Sequence, residues 1–346
     1  MSVFEKSVSE ESAFEESASN KTKPVTVISS RLNSTAGEFP SLLWLYAFWK
    51  FSRPHTIVGT LVSAIGLYLM ALAAVSPAIW GGLFLFVGAV AACLCGNVYI
   101  VGLNQLEDVE IDRINKPHLP LASGEFSRRQ GQWIVAISGI LAVLLAGSQG
   151  PFLLGTVGIS LAIGTAYSLP PIRLKRSPFW ASFCIFTVRG GVVNLGLFSH
   201  FQWGLCRSAG DCADGIPFQV WLLTLFIVGF TFAIAIFKDI PDLEGDRQYN
   251  ISTFTVRLGA PAVLKLSRWV LAICYLALIL VGAFQTSIQP AALILTHLAA
   301  LGLFWWRSWR LNLADRSAIA NCYQFIWKLF YLEYLIFPLA CLATRF

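Results

Sequence analysis

The chain has 346 residues, 56% apolar and 14% aromatic, with only 13% charged and a formal net charge of +6. Soluble domains of this length carry about 25% charged residues, so the composition excludes them and points to a membrane protein with no nucleic-acid partner. The apolar runs lack the two-residue alternation of a transmembrane strand and are long enough to cross as helices, which need roughly 20 residues each.

Residues 1–40 are rich in Ser, Glu, Lys and Thr and poor in large apolar side chains, which predicts a disordered tail ahead of one transmembrane domain over 41–346. Its acidic residues (Glu5, Glu10, Glu11, Glu15, Glu16) argue against an organelle transit peptide, and no apolar core marks a cleavable signal. A prokaryotic-type cytoplasmic tail is expected. SLLWLYAFWKFSR, with Trp44, Tyr46, Trp49, Lys50 and Arg53, suits a helix lying in the interface.

Apolar runs bounded by Pro, Gly and charge then predict about nine spans, an all-α multi-pass protein, over residues 55–75, 79–103, 131–148, 152–169, 180–200, 217–237, 266–285, 289–306 and 320–343. Of the 25 Lys and Arg, 21 fall in the tail, the interfacial segment, the loops after even-numbered spans and, for Arg268, just inside span seven. By the positive-inside rule that face, and the N-terminus with it, is cytoplasmic.

Two loops on that face carry dense negative charge. NQLEDVEIDRINKPHLPLASGEF follows span two, and its Asn104, Asp108 and Asp112 are spaced to lie on one face of a helix continuing from the span, with Asn97 below them. Glu107 and Glu110 fall off that face and read as solvated. FKDIPDLEGDRQYN follows span six, with Asp239, Asp242 and Asp246 again at helical spacing and Pro241 and Gly245 bending the chain. Facing carboxylate arrays need a cation between them, and Mg²⁺ favours oxygen ligands together with substrate phosphates. Basic side chains for a diphosphate are at hand in Arg53, Lys116, Arg173, Lys175, Lys238 and Arg247. The competing reading is a set of solvated loop charges.

NQLEDVEIDRINKPHLPLASGE, YSLPPIRLKR (167–176) and KDIPDLEGDR (238–247) resemble the UbiA superfamily of intramembrane aromatic prenyltransferases, and most of all its homogentisate branch in cyanobacteria and plastids. The resemblance covers about residues 45–345. Most of the superfamily has Asn-Asp where this chain has Asn104-Gln105, and Gln105 is typical of the homogentisate branch. That leaves Asp108 and Asp112 as the principal metal ligands of the first loop, with Asn104 and Gln105 as neutral ones, while Asp239, Asp242 and Asp246 match the second motif. The resemblance implies nine helices around a central cavity capped by the two loops, in a plasma or thylakoid membrane. It implies Mg²⁺-dependent phytyl transfer from phytyl diphosphate to homogentisate with loss of CO₂, giving 2-methyl-6-phytyl-1,4-benzoquinol, a tocopherol precursor. Geranylgeranyl or solanesyl diphosphate as donor, or another phenolic acceptor, would use the same parts. A cation transporter would instead want ionisable groups running through the midplane on several helices, and here they gather at one face.

Arg189 within span five, with Asn194 after it, is a candidate contact for the acceptor carboxylate or the diphosphate, against a buried structural pair. Asn97 and His55 are further acceptor candidates, His55 being equally suited to capping or packing. Tyr167 and Ser168 end span four where a diphosphate would sit, although an aromatic there also anchors a helix in the interface. Lys328 and Glu333 read as a structural pair at an awkward spacing. Cys206 and Cys212 share a loop on the opposite face, where a disulfide would persist. No zinc, serine-nucleophile or P-loop motif is present.

Overall fold

The structure, a computed structural model, describes residues 40–75, 82–209, 215–284 and 288–343. The expected tail over residues 1–40 lies outside these apart from Pro40, as does Cys212. The chain divides into two units, Met1–Phe48 and Trp49–Phe346. In the first, the helix beginning at Pro40 exposes Leu42, Leu43, Trp44, Leu45 and Tyr46, and Trp44 stacks on Phe48 at 5.5 Å.

The second unit contains nine described helices long and apolar enough to cross a membrane, called spans one to nine: Pro54–Ala74, Gly82–Glu107, Arg128–Gln149, Pro151–Ser168, Pro178–Arg207, Phe218–Phe237, Ala260–Phe284, Pro290–Trp309 and Arg316–Leu342. No strand occurs among the described residues. Proline opens spans one, four, five and eight, where its missing N–H costs nothing. Span three begins with a capping box of Ser127 and Gln130, and Asp315 caps span nine. Spans two, three, seven and nine reach several residues beyond their apolar runs, taking in Glu107, Arg128, Lys265 and Arg316. Polarity marks where hydrocarbon stops; backbone hydrogen bonding carries the helix on.

Span six is apolar nearly all round because nearly all of it is covered: 13 of its 20 residues are buried. Phe226, Phe230 and Phe237 pack there against Tyr275 of span seven and Phe330 and Tyr323 of span nine. Span three, with four buried residues in 22, is a peripheral helix that packs along span two. Spans one and nine lie together, as do six with seven and seven with eight. Both acidic segments emerge at the end of the spans where spans two and six finish.

Candidate active site

The first acidic segment is not one continuous helix. Span two stops at Glu107, Asp108 leaves helical geometry (φ −116°, ψ 19°), and a separate helix, Val109–Asn115, starts after it. Aspartate favours such cap positions because its carboxylate competes with the backbone for hydrogen bonds. Here the carboxylate is also drawn sideways, taking bonds from Arg173 Nη2 (3.1 Å), Lys175 Nζ (2.5 Å) and Asn104 Nδ2 (3.0 Å). Asp112 follows one turn later, its N–H on the Asp108 carbonyl at 2.7 Å, and is buried.

The second segment likewise departs from the single helical face expected of it. Span six ends at Phe237, residues 238–242 form turns, and a short helix spans Leu243–Gln248. Pro241 accounts for the break, since the residue before proline is pushed out of the helical region. Asp239, Asp242 and Asp246 are all buried even so.

The two segments meet. Lys116 Nζ lies 2.5 Å from Asp242 Oδ2 and 3.9 Å from Asp112 Oδ1, and Asn115 Oδ1 accepts the Gly245 N–H at 3.0 Å. Gly245 permits this approach: a Cβ there would stand 2.6 Å from the Asn115 amide. Arg53 and Arg173 complete the ring. Both adopt left-handed backbone (φ 54° and 40°), a conformation that non-glycine residues enter only at a cost of order 1–3 kcal/mol. Arg53 Nη2 reaches Asn104 Oδ1 at 3.4 Å, and Arg173 also donates to the Glu107 carbonyl at 3.3 Å.

Burial sets the electrostatics of this ring. It penalises the Lys238 ammonium, but Asp239 at 2.6 Å, with Tyr167 and Asp242, outweighs that and holds Lys238 well above its usual pKa. Burial pushes Asp112 up against the pull of Lys116 and Arg53, and pushes Lys175 down against Asp108. Asp246 is raised to about 7, first by burial and then by the charge of Asp242.

Beneath the ring lies a cavity of about 240 Å³ among spans one, two, four, five, six and nine. Arg53, Asn104, Tyr167 and Lys238 line its mouth; Val157, Leu161, Ile163, Ile185 and Val188 give it an apolar wall. His55, Asn97 and Arg189 also face it. His55 packs edge-on to Trp327 and Tyr323, and Asn97 Nδ2 donates to Thr56 Oγ1 at 3.0 Å. Ser168 is fully buried and its hydroxyl has no partner.

Other expected site residues lie elsewhere. Gln105 is buried outside the lining, its amide donating to the Phe51 carbonyl at 2.7 Å. Arg247 is exposed. Asn194 lies outside the lining and accepts from Tyr334 Oη at 2.5 Å. Glu333 pairs with His297 of span eight at 3.1 Å rather than with Lys328. Glu110 pairs with exposed Arg113. Cys206 is disulfide-bonded. Sequence reasoning missed Tyr323 and Trp327, although Tyr323, Trp327, Phe330, Tyr331 and Tyr334 recur at helical spacing and mark one aromatic face of span nine.

The ring suits a hard divalent cation by its donors. All five aspartates offer carboxylate oxygen, Asp112 Oδ2 is buried with no hydrogen-bond partner among the described residues, and burial and then the charge of Asp242 raise Asp246. Lysines and Arg173 occupy the space between them, and no three acidic or other ligating side chains converge on one point among the described residues.

An apolar cavity sunk among membrane-spanning helices, ringed at its mouth by interleaved carboxylates and cations, defines a class of integral membrane protein that handles a charged headgroup joined to a greasy chain. The chain belongs to the UbiA prenyltransferase family, which matches residues 57–329. It is 52% identical over 308 residues to homogentisate phytyltransferase of Synechocystis sp., covering 87% of this chain and 97% of that one. Homogentisate phytyltransferase 1 of Arabidopsis thaliana is 40% identical, over 85% and 75% of the two chains. In fold, a UbiA homolog from Archaeoglobus fulgidus solved with GPP and Mg²⁺ superposes with a TM-score of 0.58 at 17% identity, over 86% and 99% of the chains.

Proposed function

We propose that this protein transfers the phytyl group of phytyl diphosphate to homogentisate, with decarboxylation, to give 2-methyl-6-phytyl-1,4-benzoquinol. The observation that carries the reading is the junction of two acidic segments, interleaved with cations, over a cavity walled by apolar side chains; the relatives supply the identity of the substrates.

Arg53, Arg173, Lys175 and Lys238 receive the diphosphate, with the Tyr167 hydroxyl beside them. Asp108, Asp112, Asp239, Asp242 and Asp246 would hold Mg²⁺, which when bound offsets the charge of the diphosphate and eases its departure. The prenyl tail lies along Val157, Leu161, Ile163 and Ile185. Trp327 and Tyr323 line the cavity, where the negative face of an aromatic ring shields positive charge developing on the allylic carbon. The C–O bond to diphosphate breaks and a bond to the ring carbon forms. The ring gives up one proton, the carboxylate leaves as CO₂, and the methyl group takes up one proton, so protons balance without a further reagent. With 17 of the 20 described Lys and Arg toward the mouth, that side and the N-terminus face the cytoplasm of a cyanobacterial-type plasma or thylakoid membrane.

The test is incubation of membranes carrying the protein with Mg²⁺, ring-labelled homogentisate and a panel of prenyl diphosphates, following CO₂ release and product mass. A phytylated, decarboxylated quinol is expected. Geranylgeranyl or solanesyl products in its place would move the donor; no prenylated quinol from any donor would overturn the reading.

A further inference from the structure

Span five changes its winding midway. Residues Thr187–Val192 form a π-helical turn between α-helical stretches, a local widening that is frequent at functional sites. Arg189 sits on that turn, about 16 Å from the start of the span by helical rise. A guanidinium at such a depth is costly unless something compensates it.

The ordinary compensation is missing. Among the described residues no carboxylate pairs with Arg189 and no hydrogen bond reaches it, because the carboxylates at hand are committed elsewhere: Asp108 to Arg173 and Lys175, Asp239 to Lys238, Asp242 to Lys116 and Glu333 to His297. What holds Arg189 is aromatic. Its guanidinium carbon lies 5.1 Å from the centroid of Trp327 and 5.8 Å from that of Phe330. Gly59 of span one leaves room for it, since a Cβ there would come within 3.0 Å of Nη1. Two rings and a glycine thus fix the cation where Arg189 lines the cavity.

We propose that Arg189 is the specificity-determining residue that binds the carboxylate of the aromatic acceptor. The inference rests on the reading of the acceptor as an arylacetate. A planar guanidinium matches a carboxylate through two parallel hydrogen bonds, and the flanking rings set the plane in which it does so. The cations of the mouth come from span ends and the loops between them, whereas Arg189 comes from the middle of a span. An acid anchored at that depth points its ring back towards the mouth, where the allylic carbon is released. Neutral phenols lack the group that Arg189 holds and leave its charge uncompensated.

The experiment compares acids with their methyl esters, homogentisate and phenylacetate each against its ester, by calorimetry on purified protein with Mg²⁺ present. The wild type is expected to bind each acid at least about tenfold more tightly than its ester, the scale of a charge-assisted pair. Arg189→Gln should bring the two affinities together, and Arg189→Lys should retain part of the difference. Phytyl diphosphate should bind all three proteins alike, which shows that the variants are folded. An acid preference that survives Arg189→Gln, its absence from the wild type, or a loss confined to phytyl diphosphate binding would each overturn the assignment. If Arg189→Gln abolishes the acid preference while the wild type forms no prenylated quinol from homogentisate, the Arg189 site stands and the proposed acceptor chemistry falls.

Discussion

Between spans eight and nine, His297 and Glu333 bury an imidazole and a carboxylate with exposures of 1% and 2%, and each finds what it needs: Glu333 takes Nε2, and the Leu293 carbonyl lies 2.7 Å from Nδ1. At the cavity the bookkeeping is left open. Asp112 Oδ2, Arg53 Nε, Arg173 Nε and the Ser168 hydroxyl are buried without partners among the described residues, and Arg189 lines the cavity against two rings and Gly59. Both regions are polar islands in a greasy protein. A closed island holds helices together; an open one is finished by a ligand.

The sharpest way to break this contrast is at the mouth. Asp108→Asn or Asp239→Asn should lower transfer by about a thousandfold or more, the scale of losing a preorganised charge at a reacting group, while the protein remains folded in detergent. Near-normal turnover by either purified variant would remove the aspartates from the chemistry. The closed island should respond the other way round. Glu333→Leu, which strands His297, should cost about 1–3 kcal/mol of stability yet leave turnover per folded molecule within about twofold, and adding His297→Leu should restore most of the loss. Equal damage from single and double variants in a melting experiment would mean that the pair is not acting as a unit.

Acidity gives a third, smaller test. Asp246 is raised to about 7, so it is protonated below that pH and ionised above it. Protons compete with cation capture below pH 7, and half-saturating Mg²⁺ for turnover should fall about tenfold between pH 6 and 8. A flat Mg²⁺ requirement over that range would exclude Asp246 as a ligand. The smallest effect is expected from Gly245→Ala, whose methyl displaces the Asn115 amide. It should raise half-saturating Mg²⁺ about threefold while stability stays within about 1 kcal/mol, as removal of one partly exposed hydrogen bond suggests.

The nine spans were legible in the sequence because lipid imposes length and polarity together, and each run of apolar residues has few readings. The acidic motifs were legible as chemistry but not as shape. Spacings of three and four fit a continuous helix, and nothing in them announced that Asp108 would break one, although an aspartate beside a span end is a natural cap. Gln105 was read towards the metal, yet its neighbour Asn104 lies on the cavity side and Gln105 on the Phe51 side, a distinction that depends on the packing of another helix. The π turn at Arg189 and the pairing of His297 with Glu333, 36 residues apart, are tertiary outcomes with no local signature. Arg189 itself was visible, as any charge within a span is.

The interleaving of charges at the mouth bears on how substrate arrives. Lys116, Arg173, Lys175 and Lys238 each already hold a carboxylate of Asp108, Asp112, Asp239 or Asp242, so neither a lone metal ion nor a lone diphosphate meets a bare patch of opposite charge there. Were a magnesium diphosphate to enter as a unit, the aspartates would exchange their cationic partners for the metal, and the freed lysines would be available to the phosphate oxygens. Capture of this kind would depend on swapping neighbours at short range, in contrast to enzymes that gather anions from a distance with a bare positive patch.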